Sequence, residues 1–133
     1  MLRLSKFTDP MQQRANAYFQ TAERNRDLAK AHIFTASTQD WAVVIAFYAA
    51  LHFVHAYLYE KEGQKDPKSH HEREWCVENI QALQAAEIYY DDLYDFSLKV
   101  RYEPNYRLNS LVAQEAIDNM HEVERVVRKG LGI

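Results

Sequence analysis

At 133 residues the chain is long enough for one domain with a sizeable core and short for two. Apolar residues make up 47% and charged residues 26%, so it is not compositionally disordered, and three Gly and three Pro are too few breakers for a β-sandwich or barrel. A net charge of −3 argues against a protein that coats nucleic acid, and the lone Cys76 excludes a disulfide scaffold or a cysteine-rich zinc module.

The first six residues carry no apolar run of the kind a secretory signal needs. With the single cysteine, this leads to the expectation of a soluble, cytoplasmic domain spanning residues 1–133. Charge is unevenly spread: Arg3, Lys6, Arg14, Arg24, Arg26 and Lys30 oppose only Asp9, Glu23 and Asp27 in the first 38 residues. A solvated helix surface accounts for that excess as well as a basic binding face does.

Apolar residues from Ala15 to Ile33, Leu28 among them, recur at helical spacing, and Pro10 suits a first turn, so a helix is predicted from about Asp9 to Ile33. Thr35 to Thr38 breaks the pattern and offers caps for the next helix, about Gln39 to Glu62. That helix has nineteen uncharged residues between Asp40 and Glu60, a rod of roughly 28 Å that raises the question of a membrane span. His52, His55 and three tyrosines, with no Lys/Arg excess at either end, favour a central helix covered by neighbours and no membrane.

Gly63 to Ser69 reads as a loop, and Ser69-His-His-Glu72 as a capping box opening a third helix with Trp75, Cys76, Ile80 and Leu83 inward. A break is expected near Ala85–Glu87. The pattern then resumes through Tyr90, Leu93, Tyr94, Ser97 and Arg101 until Glu103-Pro104 ends it. A last helix begins near Asn109 or Ser110, runs through Leu111, Val112, Ala116, Ile117, Met120, Val123 and Val127, and stops at Gly130. The fold class expected is all-α, an up-and-down bundle of four to five helices.

At about 100° per residue, Trp41, Ile45, Tyr48, His52, His55 and Tyr59 fall on one side of the second helix. Two imidazoles and two phenols on one face are either satisfied core groups or the wall of a polar cleft or subunit contact. His52 and His55 alone are too few to hold a metal, and only Asp118-Asn-Met-His121 approaches a Glu-x-x-His motif, so neither metal nor cofactor is expected. Ser69, His70, His71 and Arg73 gather at a helix N-terminus, which suits a phosphate; ordinary capping is the plainer alternative. Tyr90, Tyr94, Ser97 and Arg101 share one helix face, where Arg101 either caps carbonyls or binds phosphate while Tyr94 or Tyr102 stacks a base.

The stretches Phe47-Tyr-Ala-Ala-Leu-His52-Phe-Val-His-Ala-Tyr-Leu58, Pro67-Lys-Ser-His70-His-Glu-Arg73 and Tyr94-Asp-Phe-Ser-Leu-Lys-Val-Arg101-Tyr102 resemble the HEPN domain family over about residues 41–107. The resemblance implies a helical bundle, commonly a homodimer. Many relatives are metal-independent endoribonucleases of toxin–antitoxin or defence systems; others partner nucleotidyltransferases or have lost activity. The nuclease members carry Arg, four to six residues, then His late in the chain. Here Arg101 is followed at those positions by Tyr106, Arg107 and Leu108, whereas Arg26 and His32 fit the spacing but lie on the first helix.

Three functions stay open. As a binding module, the chain would take RNA or a nucleotide, or a partner such as a nucleotidyltransferase or antitoxin. As a metal-independent endoribonuclease, it would use His52 or His70 for proton transfer, Arg101 and Arg73 for phosphate, and Tyr48 or Tyr94 for orientation. His55, Ser69 and Tyr102 complete the candidate ligand set. As a scaffold, the chain would be a homodimer whose polar stripe is an interface.

Overall fold

The computed structural model describes residues 10–33, 35, 37–63 and 65–133. Five helices account for most of them: α1 Pro10–His32, α2 Gln39–Lys61, α3 His70–Asn79, α4 Glu87–Tyr102 and α5 Ser110–Leu131, with a 3₁₀ segment Gln81–Ala86 before α4. No strand occurs among the described residues. The all-α bundle expected from periodicity is the fold found. The expected helix start at Asp9, the leading segment, and Arg3 and Lys6 lie outside the described residues.

The hydrophobic helix α2 is the hub, packed against α1, α4 and α5. Its length and hydropathy would suffice to cross a membrane, yet 78% of its most apolar window is buried inside the bundle. Phe47, Phe53, Val54 and Leu58 meet Phe19 of α1, Tyr90 and Leu93 of α4, and Met120, Val123 and Val127 of α5 in one core. The six-residue polar stripe follows the same packing. Trp41 is exposed at one end, while His55 and Tyr59 are buried at the other. Tyr18 of α1 covers that second half, with its ring 5.0 Å from His55 and 5.4 Å from Tyr59.

Local signals set the ends, with four departures from expectation. Ser69 caps α3 by accepting from the Glu72 N–H at 3.2 Å, but the Glu72 carboxylate reaches back to the Lys68 N–H at 2.7 Å instead of the Ser69 N–H. The helix stops at Asn79, earlier than expected, because Ile80 turns extended to let the 3₁₀ segment bury Leu83. Trp75 faces out, 53% exposed, under the Lys65 ammonium at 5.4 Å, and Leu28 and Leu111 are exposed too. Lastly, Gly130 lies within α5, and the stop is Gly132, whose φ of 76° is left-handed and whose N–H bonds to Arg128 and Lys129 carbonyls.

Gly130 serves close approach instead. A Cβ there would stand 2.9 Å from Cε2 of buried Tyr57. Alanine gains about 1 kcal/mol of helix propensity, but crowding a packed ring costs about 1–3 kcal/mol. Gly130→Ala should therefore lower unfolding free energy by about 1 kcal/mol in urea titration. A more stable variant would show that Tyr57 yields freely.

A second tie joins α1 to α5. Glu124 Oε2, nearly buried, accepts from Arg26 Nη1 at 2.7 Å and Arg128 Nε at 2.8 Å, while Arg128 Nη2 also reaches Glu23 at 3.2 Å. Arg26 is thus engaged in structure. His32, its partner in the Arg-to-His spacing, is exposed at the end of α1.

Candidate functional site

Polar side chains of four elements line α2, with Tyr18 of α1 against His52 and His55, and Tyr90 and Tyr94 of α4, under His70 of α3, against Phe47. From α2 come His52 and His55; α1 adds Arg14, Tyr18 and Thr21; α3 adds His70 and Arg73; α4 adds Tyr90 and Tyr94. Helical geometry explains the sets: His52 and His55, like His70 and Arg73, are three residues apart and leave one face together.

The rings form two stacks. Tyr18 lies nearly parallel to His52, centroids 5.9 Å apart, and tilts against His55. His70 lies flat on Tyr94, with centroids 3.3 Å apart and planes 7° apart, and is parallel to Tyr90 at 6.2 Å. Arg73 stands between the stacks electrically, since its charge disfavours protonation of His52, His55 and His70 and eases ionisation of Tyr90.

Burial is the leading influence on each of these groups. It lowers His52, with Arg73 and Arg24 adding to the effect. It brings His55 down to about 4, reinforced by Arg73 and opposed by Asp66, whose Oδ1 lies 3.6 Å from Nδ1. It lowers His70 against the pull of Glu74, 3.4 Å from Nε2. It pushes the Tyr90 phenol up to about 12. At neutral pH the site therefore holds neutral imidazoles and the neutral Tyr90 phenol around a fixed guanidinium.

Much of this polarity has no partner. His52 Nδ1, both nitrogens of His55, His70 Nδ1, Arg73 Nε and the Tyr90 hydroxyl are buried without a hydrogen bond of good geometry. Arg73 forms no ion pair among the described residues. A half-buried guanidinium that lacks a counter-ion is costly, because the desolvation of its charge is not offset.

His55 gives this arrangement a pH signature. Unfolded, its imidazole protonates near 6.5; folded, it does so only near 4. The unfolded chain thus binds the extra proton between those values, and stability falls as pH drops through the window. The expected loss at pH 4 is about 3 kcal/mol relative to His55→Phe, measured by denaturant titration across pH 7 to 4. Parallel stability curves for the two proteins would refute the assignment.

The other candidates stand apart. Arg101 donates to the Ser97 carbonyl at 3.2 Å and the Ser97 hydroxyl at 3.0 Å, and lies over Tyr102 at 5.2 Å, so it caps its own helix. The expectation that it joins His52 and His70 is not met, because an Arg four residues after a buried Ser finds that acceptor first. Tyr102 is exposed beneath it. Ser69 is the N-cap of α3, and exposed Tyr48 packs its ring against Phe47, 5.6 Å between centroids.

Sequence reading missed Tyr18, Asp66 and Arg14. Tyr18 fits the apolar spacing of α1, and Asp66 sits in a loop with no periodicity; nothing in one sequence marks either as facing His55. It missed, too, that Glu74, Glu78 and Asp91 bring carboxylate oxygens within 4.8 Å of one another, the one such triad among the described residues. Burial and this repulsion raise the Asp91 carboxyl to about 6. The triad is the place where a cation would fit by distance, and exposed acidic groups of this kind are common without one.

Comparison with known proteins widens the sequence resemblance. A search of curated protein sequences found no match. The family model for the HEPN domain aligns with residues 14–130, which takes in α1 and α5 as well as the central motifs. That span holds α2, α3 and α4 whole, most of α1 and α5, and every residue of the Arg73 cluster, and the chain belongs to the HEPN domain family.

Proposed function

We propose that the chain is a binding module for the phosphate of a nucleotide or RNA, with Arg73 as the anion's anchor. The observation that carries this reading is the half-buried Arg73 guanidinium, which has no carboxylate partner among the described residues and a buried Nε without an acceptor, beside the unpartnered Nδ1 atoms of His52 and His70. A phosphate oxygen would supply the missing counter-ion and accept from Arg73 Nε and from His52 or His70. An anion there also favours protonated imidazoles, so binding should tighten as pH falls below neutrality.

Endoribonuclease activity is the second reading, and it is favoured by one observation. Neutral His52 and His70 each present an unpaired Nδ1 beside the anchor, as a proton acceptor requires. Against it, the Arg26–His32 spacing match falls on an ion-paired structural arginine.

Labelled RNA incubated with the purified protein separates the readings. The module binds RNA with an affinity that falls steeply with salt and leaves it intact. Cleavage that drops about 10²–10⁴-fold in His52→Ala would instead support the nuclease. Absence of binding at low salt would remove both.

A further inference from the structure

The 3₁₀ segment Gln81–Ala86 forms a ridge with a groove on either side. Toward α5 lies a largely apolar groove of about 340 Å³, with Ala82, Ala85, Val126 and Gly130 inside and the exposed Arg125 and Lys129 beside them. Its small side chains let α5 pass close, since a Cβ on Gly130 would stand 3.6 Å from that of Ala82. Toward α4 lies a second groove of about 380 Å³, lined by Gln84, Glu87, Ile88, Asp91 and Asp92. Ile88 is 64% exposed, a large apolar side chain standing among three carboxylates. None of the three forms an ion pair among the described residues, and from Glu74 to Leu98 the chain has six carboxylates and no Lys or Arg. Burial and the neighbouring carboxylates raise the Asp91 carboxyl to about 6, so this surface is short of positive charge. Across the ridge the balance reverses: Lys129 has no ion pair among the described residues, and Arg125 holds only Glu122, at 2.9 Å on the surface.

We infer that a second copy of this chain docks on this ridge across a two-fold axis, each copy's Ile88 entering the other's apolar groove while Arg125 and Lys129 face the other's Glu87, Asp91 and Asp92. A two-fold contact requires a surface that complements itself, residue i of one copy meeting residue j of the other and the reverse. The ridge meets that requirement in shape and in charge. A protruding apolar side chain lies on one flank and an apolar hollow on the other, with carboxylates around the first and cations around the second. Because both flanks border one short segment, the contact closes on itself as a pair and does not propagate as a chain. A foreign partner would have to match only one groove; a second copy matches both. The surface differs from the polar stripe of α2, and the inference is independent of the phosphate-binding reading of Arg73. Two grooves per copy suit the small end of specific interfaces, about 1,000–1,200 Å² in total, so the pair should be reversible, micromolar and weakened by salt.

Sedimentation velocity of the full chain at low salt, from about 5 to about 200 µM, tests the inference. The wild type should pass from monomer to dimer within that range. Ile88→Ala should weaken the pair at least about 10-fold, since each dimer loses two buried side chains. Asp92→Lys and Lys129→Glu should each stay monomeric where the wild type pairs, because like charges then meet at both ends of the contact. Mixed in equal amounts, these two variants should pair again. In the mixed dimer the new Lys meets the new Glu, and the remaining Lys129 meets the remaining Asp92. Such mutual rescue also shows that both variants are folded, and matching circular dichroism melts are expected alongside. A wild type that stays monomeric throughout, a dimer that none of the three substitutions weakens, or a mixture of folded charge variants that stays monomeric overturns the inference. The Arg73 reading stands or falls separately.

Discussion

Arg73→Met should lose about 10- to 100-fold in phosphate or nucleotide affinity while the bundle stays folded and at least as stable as the wild type. The two halves of this expectation have one cause. A half-buried guanidinium without an anion is a burden on the free protein, and methionine fills similar space with no charge to desolvate. The same guanidinium is what a bound phosphate would contact. Charge-assisted hydrogen bonds contribute about 1.5–3 kcal/mol each, which is the source of the expected range. Removing Arg73 should also relieve His52, His55 and His70 of a repelling charge, so their protonation should move upward in histidine NMR titrations. A destabilised variant with unchanged ligand affinity would mark Arg73 as a structural residue.

Glu124→Gln should have the largest effect on stability, a loss of about 3 kcal/mol or roughly 10 °C in melting temperature. Its carboxylate neutralises Arg26 and Arg128 together, and Arg128 in turn lies 4.9 Å over the Phe19 ring in the α1–α5 seam. Glutamine keeps the shape but leaves two partly buried cations facing each other across the seam. Glu23 at 3.2 Å from Arg128 and Asp27 at 2.9 Å from Arg26 compensate them only from the more exposed rim of the seam. Adding Arg26→Met to Glu124→Gln should recover a good part of the loss, since a broken ion pair costs more than an absent one. A change below about 0.5 kcal/mol would place this network among ordinary surface pairs.

The helices could be read from the chain because their signals are local. Periodicity, the Ser69 and Asn109 caps and the Glu103-Pro104 stop act within a few residues, and the observed ends agree closely with them. Errors arose where packing outranks local pattern. Gly130 resembles a helix stop but is required by Tyr57, and Trp75 has core-like spacing yet points away from the bundle.

The candidate site was partly legible for the same reason. His52 with His55, and His70 with Arg73, are same-face pairs that helical spacing alone reveals. Arg101 shares a face with Tyr94, but seven residues, about 10 Å along α4, separate them, and Ser97 captures its guanidinium on the way. Tyr18 and Asp66 meet His55 only through the docking of α1 and the loop before α3. Such long-range meetings leave no trace in the spacing of a single sequence.

The central claim, that Arg73 is a cation awaiting an anion, can be tested at the atom concerned. In ¹⁵N-labelled protein, the Arg73 Nε–H resonance is followed while inorganic phosphate and then AMP are added at low salt. The account expects that resonance to shift and to exchange more slowly with water as the site fills, with His52 and His70 ring signals moving alongside. An Arg73 Nε–H signal unmoved at saturating ligand, with Arg73→Met binding as tightly as the wild type, would contradict it.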